Sequence, residues 1–274
     1  MKRIGVALGA GGARGLAHIV VLQAFEELGI KPSIVSGTSI GAVIGVGYAA
    51  GLSTAEMKNA VDESRVVKPG RFRRFYGNSE LNFALSWLDP TIRTGGIIKG
   101  EKFIKFLYSR INVRRFVELE IPLVVIATHL GKREQVILDK GNVLKAVLAS
   151  CAMPGLFTPV TIGGELFVDG GLVNPLPYDV LRPSCDVTVA LDVSPRIATE
   201  RTRPLRAQEV FFSAFQIMQN SIVREKLMQS QPDILIRIAM NNVRALEFNK
   251  ATSIFQQALP WKEELKRRLY PFLK

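Results

Sequence analysis

Three short stretches of this chain hold residue types that could do chemistry together. Gly37-Thr38-Ser39-Ile40-Gly41 sets a serine between two glycines, where a β-branched run, Ile34-Val35, gives way to a small-residue segment reaching about Ala50. A strand that turns straight into a helix strains the residue at the junction and leaves no room beside it, so glycine on both flanks has a steric reason. The serine hydroxyl then projects above the strand end. The start of the following helix, Ile40 onward, offers backbone N–H groups to negative charge developing there. The plainer alternative is a glycine-rich turn with an incidental serine.

A serine hydroxyl is too weak an acid to attack an ester unaided, so a base is needed. The only histidines are His18 and His129, and none follows residue 129. The usual hydrolase order of serine, acid and then histidine is therefore excluded. Either a histidine acts out of order or a carboxylate is itself the base. Asp169-Gly170-Gly171, at the end of an expected strand, presents a carboxylate on a tight turn, although the same tripeptide suits an ordinary hairpin. His18 lies four residues after Arg14 on the first expected helix, among apolar neighbours that favour a packed role over a base. His129 and Cys151 have no motif partner.

The third stretch, Gly9-Ala10-Gly11-Gly12-Ala13-Arg14-Gly15, exposes successive N–H groups at a helix start, which suits a phosphate or an oxyanion. A dinucleotide loop would need glycine where Arg14 stands, and a phosphate-binding Gly-Lys-Ser/Thr is absent, so nucleotide binding is disfavoured. An oxyanion hole built from Gly11 and Gly12 is the more economical reading. Arg14 would bind a substrate phosphate or, as preferred, anchor the loop through a carboxylate.

The elements that must carry these residues alternate. Arg3 to Leu8 reads as a strand, Leu16 to Leu28 as a helix, Ile34-Val35 as a strand and the segment to Ala50 as a helix. Pro122 to Thr128 and Val187 to Val193 are apolar runs typical of strands buried on both faces. Val136 to Leu138 should pair nearby, Val160 to Val168 should form a hairpin about Gly163-Gly164, and Ile234 to Ile238 should add a strand. Helices are expected over Thr54–Ser64, Glu101–Ile111, Val143–Ala149, Gln208–Met228 and Ser253–Leu269. Such alternation points to α/β layers.

Composition narrows the functions further. With 274 residues, 47% of them hydrophobic, the chain can bury a core of its own, and disorder is excluded. Two cysteines, Cys151 and Cys185, make neither a disulfide framework nor a zinc site, and fit a reducing, cytoplasmic setting. The uncharged stretch from Pro32 to Ala55 is long enough to span a membrane, but its glycines and hydroxyl residues read better as strand, turn and helix. A net charge of +12 would draw phosphate-bearing partners. Arg65, Lys68, Arg71, Arg73 and Arg74, interleaved with Phe72, Phe75 and Tyr76, could bind lipid headgroups at an anionic membrane surface. Trp261, Leu265 and Leu269 beside Lys262, Lys266, Arg267 and Arg268 would serve either as a membrane face or as core plus solvated flank.

Taken in order, the motifs resemble those of the patatin-like phospholipases. The family's glycine block is similar to Ala10-Gly11-Gly12-Ala13-Arg14-Gly15, its elbow to Gly37-Thr38-Ser39-Ile40-Gly41 and its aspartate motif to Asp169-Gly170-Gly171. Ala149-Ser150-Cys151-Ala152-Met153-Pro154 is a further family-like stretch between the last two. Ala10 departs from the family by replacing the block's first glycine, which matters if that position needs positive φ.

The resemblance implies a three-layer α/β/α fold with a central, mostly parallel sheet and a helical insertion. One patatin-like domain over 1–274 would hold a catalytic core at about 1–195, the insertion at about 53–121 and a C-terminal extension at about 205–274. It also implies a lipid acyl hydrolase of phospholipase A or lysophospholipase type. Ser39 would be the nucleophile, Asp169 the general base and Gly11 and Gly12 the oxyanion hole, with Arg14, His18 and Ile40 as supporting candidates. No metal or cofactor is called for. The expected partners are a lipid ester and a membrane surface touched peripherally from the inner side, with no nucleic acid. A non-catalytic lipid- or protein-binding adaptor on the same fold is the alternative.

Overall fold

The apolar runs that the sequence marks as strands buried on both faces become the middle of one sheet. A computed structural model of the protein describes residues 2–66, 90–93, 96–98, 109–195 and 207–273. In chain order the strands are β1 (Ile4–Leu8), β2 (Ile34–Thr38), β3 (Pro90–Arg93), β4 (Gly96–Ile98), β5 (Leu123–His129), β6 (Glu134–Leu138), β7 (Val160–Ile162), β8 (Glu165–Asp169), β9 (Val187–Asp192) and β10 (Ile234–Arg237). The helices are α1 (Ala17–Glu27), α2 (Ile40–Ala49), α3 (Thr54–Val66), α4 (Val143–Ser150), α5 (Ala207–Gln229) and α6 (Ala251–Leu269).

Strands β10, β9, β1, β2 and β5 lie side by side and all run parallel. Beyond them β6 and β8 pair antiparallel with β5, and β7 closes a hairpin on β8 through Gly163 and Gly164, both at positive φ. β3 and β4 form a separate two-stranded pair.

Side chains alternate across this sheet and feed two cores. Ile4, Val6 and Leu8 of β1 join Val187, Val189 and Leu191 of β9 in the larger core, packed with α1, α2 and α6. Ala7 and Ala190, one residue out of step, enter the opposite core with Val223 and Leu227 of α5. A helical layer on each face of a mostly parallel sheet makes a three-layer α/β/α architecture.

The C-terminal segment is part of this frame: β10 extends the sheet, and α6 buries Ile254, Ala258, Leu265 and Leu269 in the core shared with α1. Lys262 and Lys266 both reach Glu27 of α1. Of the two readings of this last helix, core plus solvated flank is the one it takes. Most of the helix expected over Glu101–Ile111 and the basic aromatic stretch from Lys68 to Tyr76 lie outside the described residues. Among the described residues, no helix is long and apolar enough to cross a membrane.

Candidate active site

Ser39 and Asp169 are brought together by one edge of β5. At Val125 and Ile126 that strand pairs with β6 on one side and with Gly37 and Thr38 of β2 on the other. At Ala127 it still pairs with β6, so Asp169, the partner of Ala127 on β8, must occupy the edge that β2 has just left. Thr38 and Asp169 thus face consecutive residues of β5. The chain turns at Ser39, and its Oγ donates to Asp169 Oδ2 at 2.8 Å across 130 residues of sequence.

The turn is strained as the motif requires. Ser39 has φ 55° and ψ −123°, a conformation rare for a residue with a side chain and costing about 1–3 kcal/mol. A methyl group on Gly41 would overlap the Leu8 carbonyl oxygen, so α2 can leave the sheet here only with glycine at that position. The Ser39 N–H donates to Ser150 Oγ at 2.8 Å, which ties the elbow to the end of α4. Ser150 lies within the family-like stretch quoted above, but the sequence offered no reason to give it this role.

Asp169 is 2% exposed. Burial raises its carboxyl from an ordinary 3.8 to about 6, while the N–H of Gly171, at 2.7 Å from Oδ1, and the Ser39 hydroxyl pull the other way. A carboxylate so raised is a better proton acceptor than a free aspartate, yet remains ionised at neutral pH.

The glycine loop follows β1 at the same end of the sheet. The N–H groups of Gly9, Ala10 and Ala13 donate to the carbonyls of Leu191, Pro175 and Ala245. Those of Gly11, Gly12 and Ile40 have no acceptor among the described residues, and all three residues line the cavity that contains Ser39 and Asp169. Positive φ falls on Gly12, at 59°, and not on Ala10, so the departure from the family block is sterically harmless.

Arg14, 3% exposed, is tied to carbonyl oxygens and not to a carboxylate: Nη1 donates to Val243 at 3.0 Å and Nε to Val193 at 3.3 Å. Burial lowers its guanidinium to about 10, opposed by the charge of Glu247. His18, fully buried, holds the Gly9 carbonyl through Nε2 at 2.9 Å. Burial lowers it to about 4, so at neutral pH it is an uncharged brace for the loop.

The remaining candidates have other partners. His129 accepts the N–H of Lys132, lies 3.2 Å from Glu165 and packs edge-on against Phe167. Cys151 lines the cavity, and burial together with the Asp169 charge pushes its thiol well above the ordinary value, which keeps it a neutral thiol. Among the described residues, no group of His, Cys, Asp or Glu side chains is placed to hold a metal ion.

The cavity measures about 280 Å³ and is walled mainly by apolar side chains, including Val43 and Ile44 of α2, Met57 of α3, Leu148 of α4, and Phe212 and Phe215 of α5. Such a wall suits an aliphatic chain, and the few polar groups set into it suit the ester that the chain carries.

The chain is similar in sequence to one known family and to several of its relatives. Residues 6–182 match the family described as patatin-like phospholipase. An uncharacterized NTE family protein of Mycobacterium tuberculosis is 33% identical over 193 residues, 70% of this chain and 49% of the relative. Lysophospholipase nte1 of Aspergillus fumigatus is 31% identical over 195 residues, again 70% of this chain but 12% of the relative. The chain therefore spans about half or less of these relatives' lengths. Among solved structures, VipD from Legionella pneumophila matches over 96% of this chain and 67% of that chain, at 16% identity and a TM-score of 0.49. On the extent of the family match, this chain belongs to the patatin-like phospholipase family.

Proposed function

We propose that the protein hydrolyses the carboxylic ester of a lipid through an acyl-enzyme on Ser39, with Asp169 as the general base. The observation that carries this reading is the 2.8 Å hydrogen bond from Ser39 Oγ to Asp169 Oδ2 in the wall of an apolar cavity. Asp169 takes the hydroxyl proton as Oγ attacks the ester carbonyl carbon. The carbonyl oxygen becomes an oxyanion facing the unpaired N–H groups of Gly11 and Gly12, with Ile40 beside them. Collapse breaks the bond to the alcohol oxygen, which leaves with the proton returned by Asp169. Water, deprotonated by Asp169, then attacks the acyl-enzyme, and the fatty acid departs as the Ser39 hydroxyl recovers its proton.

The lysophospholipase name of the fungal relative favours a monoacyl phospholipid as substrate. Contact with a membrane surface is supported by α5, which exposes Val210, Phe211, Ala214, Ile217 and Met218 on one stripe while Phe212 and Phe215 line the cavity. With a net charge of +12, the protein should sediment with anionic vesicles more than with neutral ones, and the difference should shrink with salt. Equal weak binding to both would remove the membrane contact.

The chemistry is tested by turnover of a monoacyl phospholipid. Fatty acid release by the wild type and none by Ser39→Ala is the expected pair of results. Because the base works ionised and burial raises Asp169 to about 6, kcat/KM should climb through about pH 6 and level off above it. Activity that is unchanged between pH 5 and 8 would contradict Asp169 as the base.

A further inference from the structure

Helix α5 interrupts its apolar contribution to the cavity with two carboxamides, Gln216 and Gln219, three residues apart on one side of the helix. Gln219 is only 9% exposed, and its side chain has no hydrogen-bond partner among the described residues. Buried carboxamides ordinarily find partners, as Asn174 does with Gln135, Asp179 and Lys226. The Gln219 carboxamide instead faces the cavity, where a bound group can take up its hydrogen-bonding capacity.

The position of Gln219 says which group that is. Its Nε2 packs so closely on Gly171 that a methyl group there would overlap it, and the Gly171 N–H is the donor that holds Asp169 Oδ1. Gln219 therefore stands beside the carboxylate that returns a proton to the leaving oxygen, next to the alcohol half of the ester. A carboxamide both donates and accepts, which matches a hydroxyl. It is uncharged, so it gives a phosphate no ion pair, and a second ester in that place would offer its oxygen no donor.

On the hydrolase reading of Ser39 and Asp169 given above, we propose that Gln219 is a specificity-determining residue that hydrogen-bonds a free hydroxyl on the carbon adjacent to the ester-bearing carbon. The preferred substrates are then monoacyl esters of a vicinal diol. A site built to bond a hydroxyl discriminates against the analogue that lacks it, because its own polar group is then left unpaired.

The test compares the lauroyl ester of glycerol at its primary position with the lauroyl ester of propane-1,3-diol, which keeps the distal hydroxyl and lacks the adjacent one. Wild type should favour the glycerol ester by about 10- to 100-fold in kcat/KM. Gln219→Leu should erase that preference by losing turnover of the glycerol ester alone, leaving the propanediol ester within about threefold. A wild type with no preference, or a Gln219→Leu variant that slows both esters equally, would overturn the proposal. If the variant does not fold, the wild-type ratio decides by itself. Ser39-dependent turnover of the two esters at equal rates would leave the hydrolase reading standing while this proposal falls, whereas no Ser39-dependent turnover of either would overturn both.

Discussion

Asp169→Asn should lower kcat by about 10²- to 10⁴-fold while making the folded protein more stable at pH 8. On the proposed mechanism, the loss of rate follows from removing the carboxylate to which Ser39 Oγ donates at 2.8 Å. The gain in stability follows from burial. Its folded-state value, about 6, lies above the ordinary 3.8, so the stability linked to its protonated form is complete below about pH 4 and is lost as pH rises through about 6. Two units correspond to about 3 kcal/mol when the group is fully ionised, and asparagine avoids that cost while still able to accept the Gly171 N–H. Denaturant melts at pH 8 should show Asp169→Asn more stable by about 1–3 kcal/mol, with the gap closing toward pH 4. A variant that loses activity and stability together at pH 8 would show that the buried charge is not the strained element described here.

The second large effect is expected at Gly12. Its φ of 59° and its contact with the Ala245 carbonyl, which an added methyl would overlap, leave no room for a side chain. Gly12→Ala must shift the loop and re-aim the N–H groups of Gly11 and Gly12, so kcat should fall by about 10²- to 10³-fold with KM little changed. The amides would face the oxyanion of the reacting ester more closely than its ground-state carbonyl, which is why the loss belongs in kcat. Steady-state kinetics on a soluble ester, with circular dichroism to confirm folding, measure this. A rise in KM at constant kcat would assign the loop to substrate binding instead.

The parts of this site that could be read from the sequence are those where a residue type has one steric justification. Glycine on both sides of Ser39, glycine at 11 and 12, and Asp-Gly-Gly at 169 to 171 each announce a backbone that admits little else. The strands buried on both faces were legible as apolar runs, Pro122 to Thr128 for β5 and Val187 to Val193 for β9.

What local pattern does not contain is register between distant strands. That β2 and β8 share one edge of β5, with Thr38 opposite Ile126 and Asp169 opposite Ala127, depends on pairings between segments far apart in sequence. The same is true of Ser150, an unremarked serine at a helix end until its hydroxyl meets the Ser39 N–H. Gln219 gives no sequence signal at all, because a glutamine facing a cavity and one facing water occupy identical helical patterns. The stripe of α6 was visible at spacing four, but only its packing with α1 shows that it is core.

The most direct test of the account is to treat the folded protein with a fluorophosphonate and locate the adduct by mass spectrometry. A single adduct on the peptide containing Ser39, absent from Ser39→Ala and formed much more slowly in Asp169→Asn, is the expected outcome. A wild type that forms no adduct while folded, or a Ser39→Ala variant labelled as fast as wild type, would contradict the claim that the Asp169 carboxylate activates the Ser39 hydroxyl.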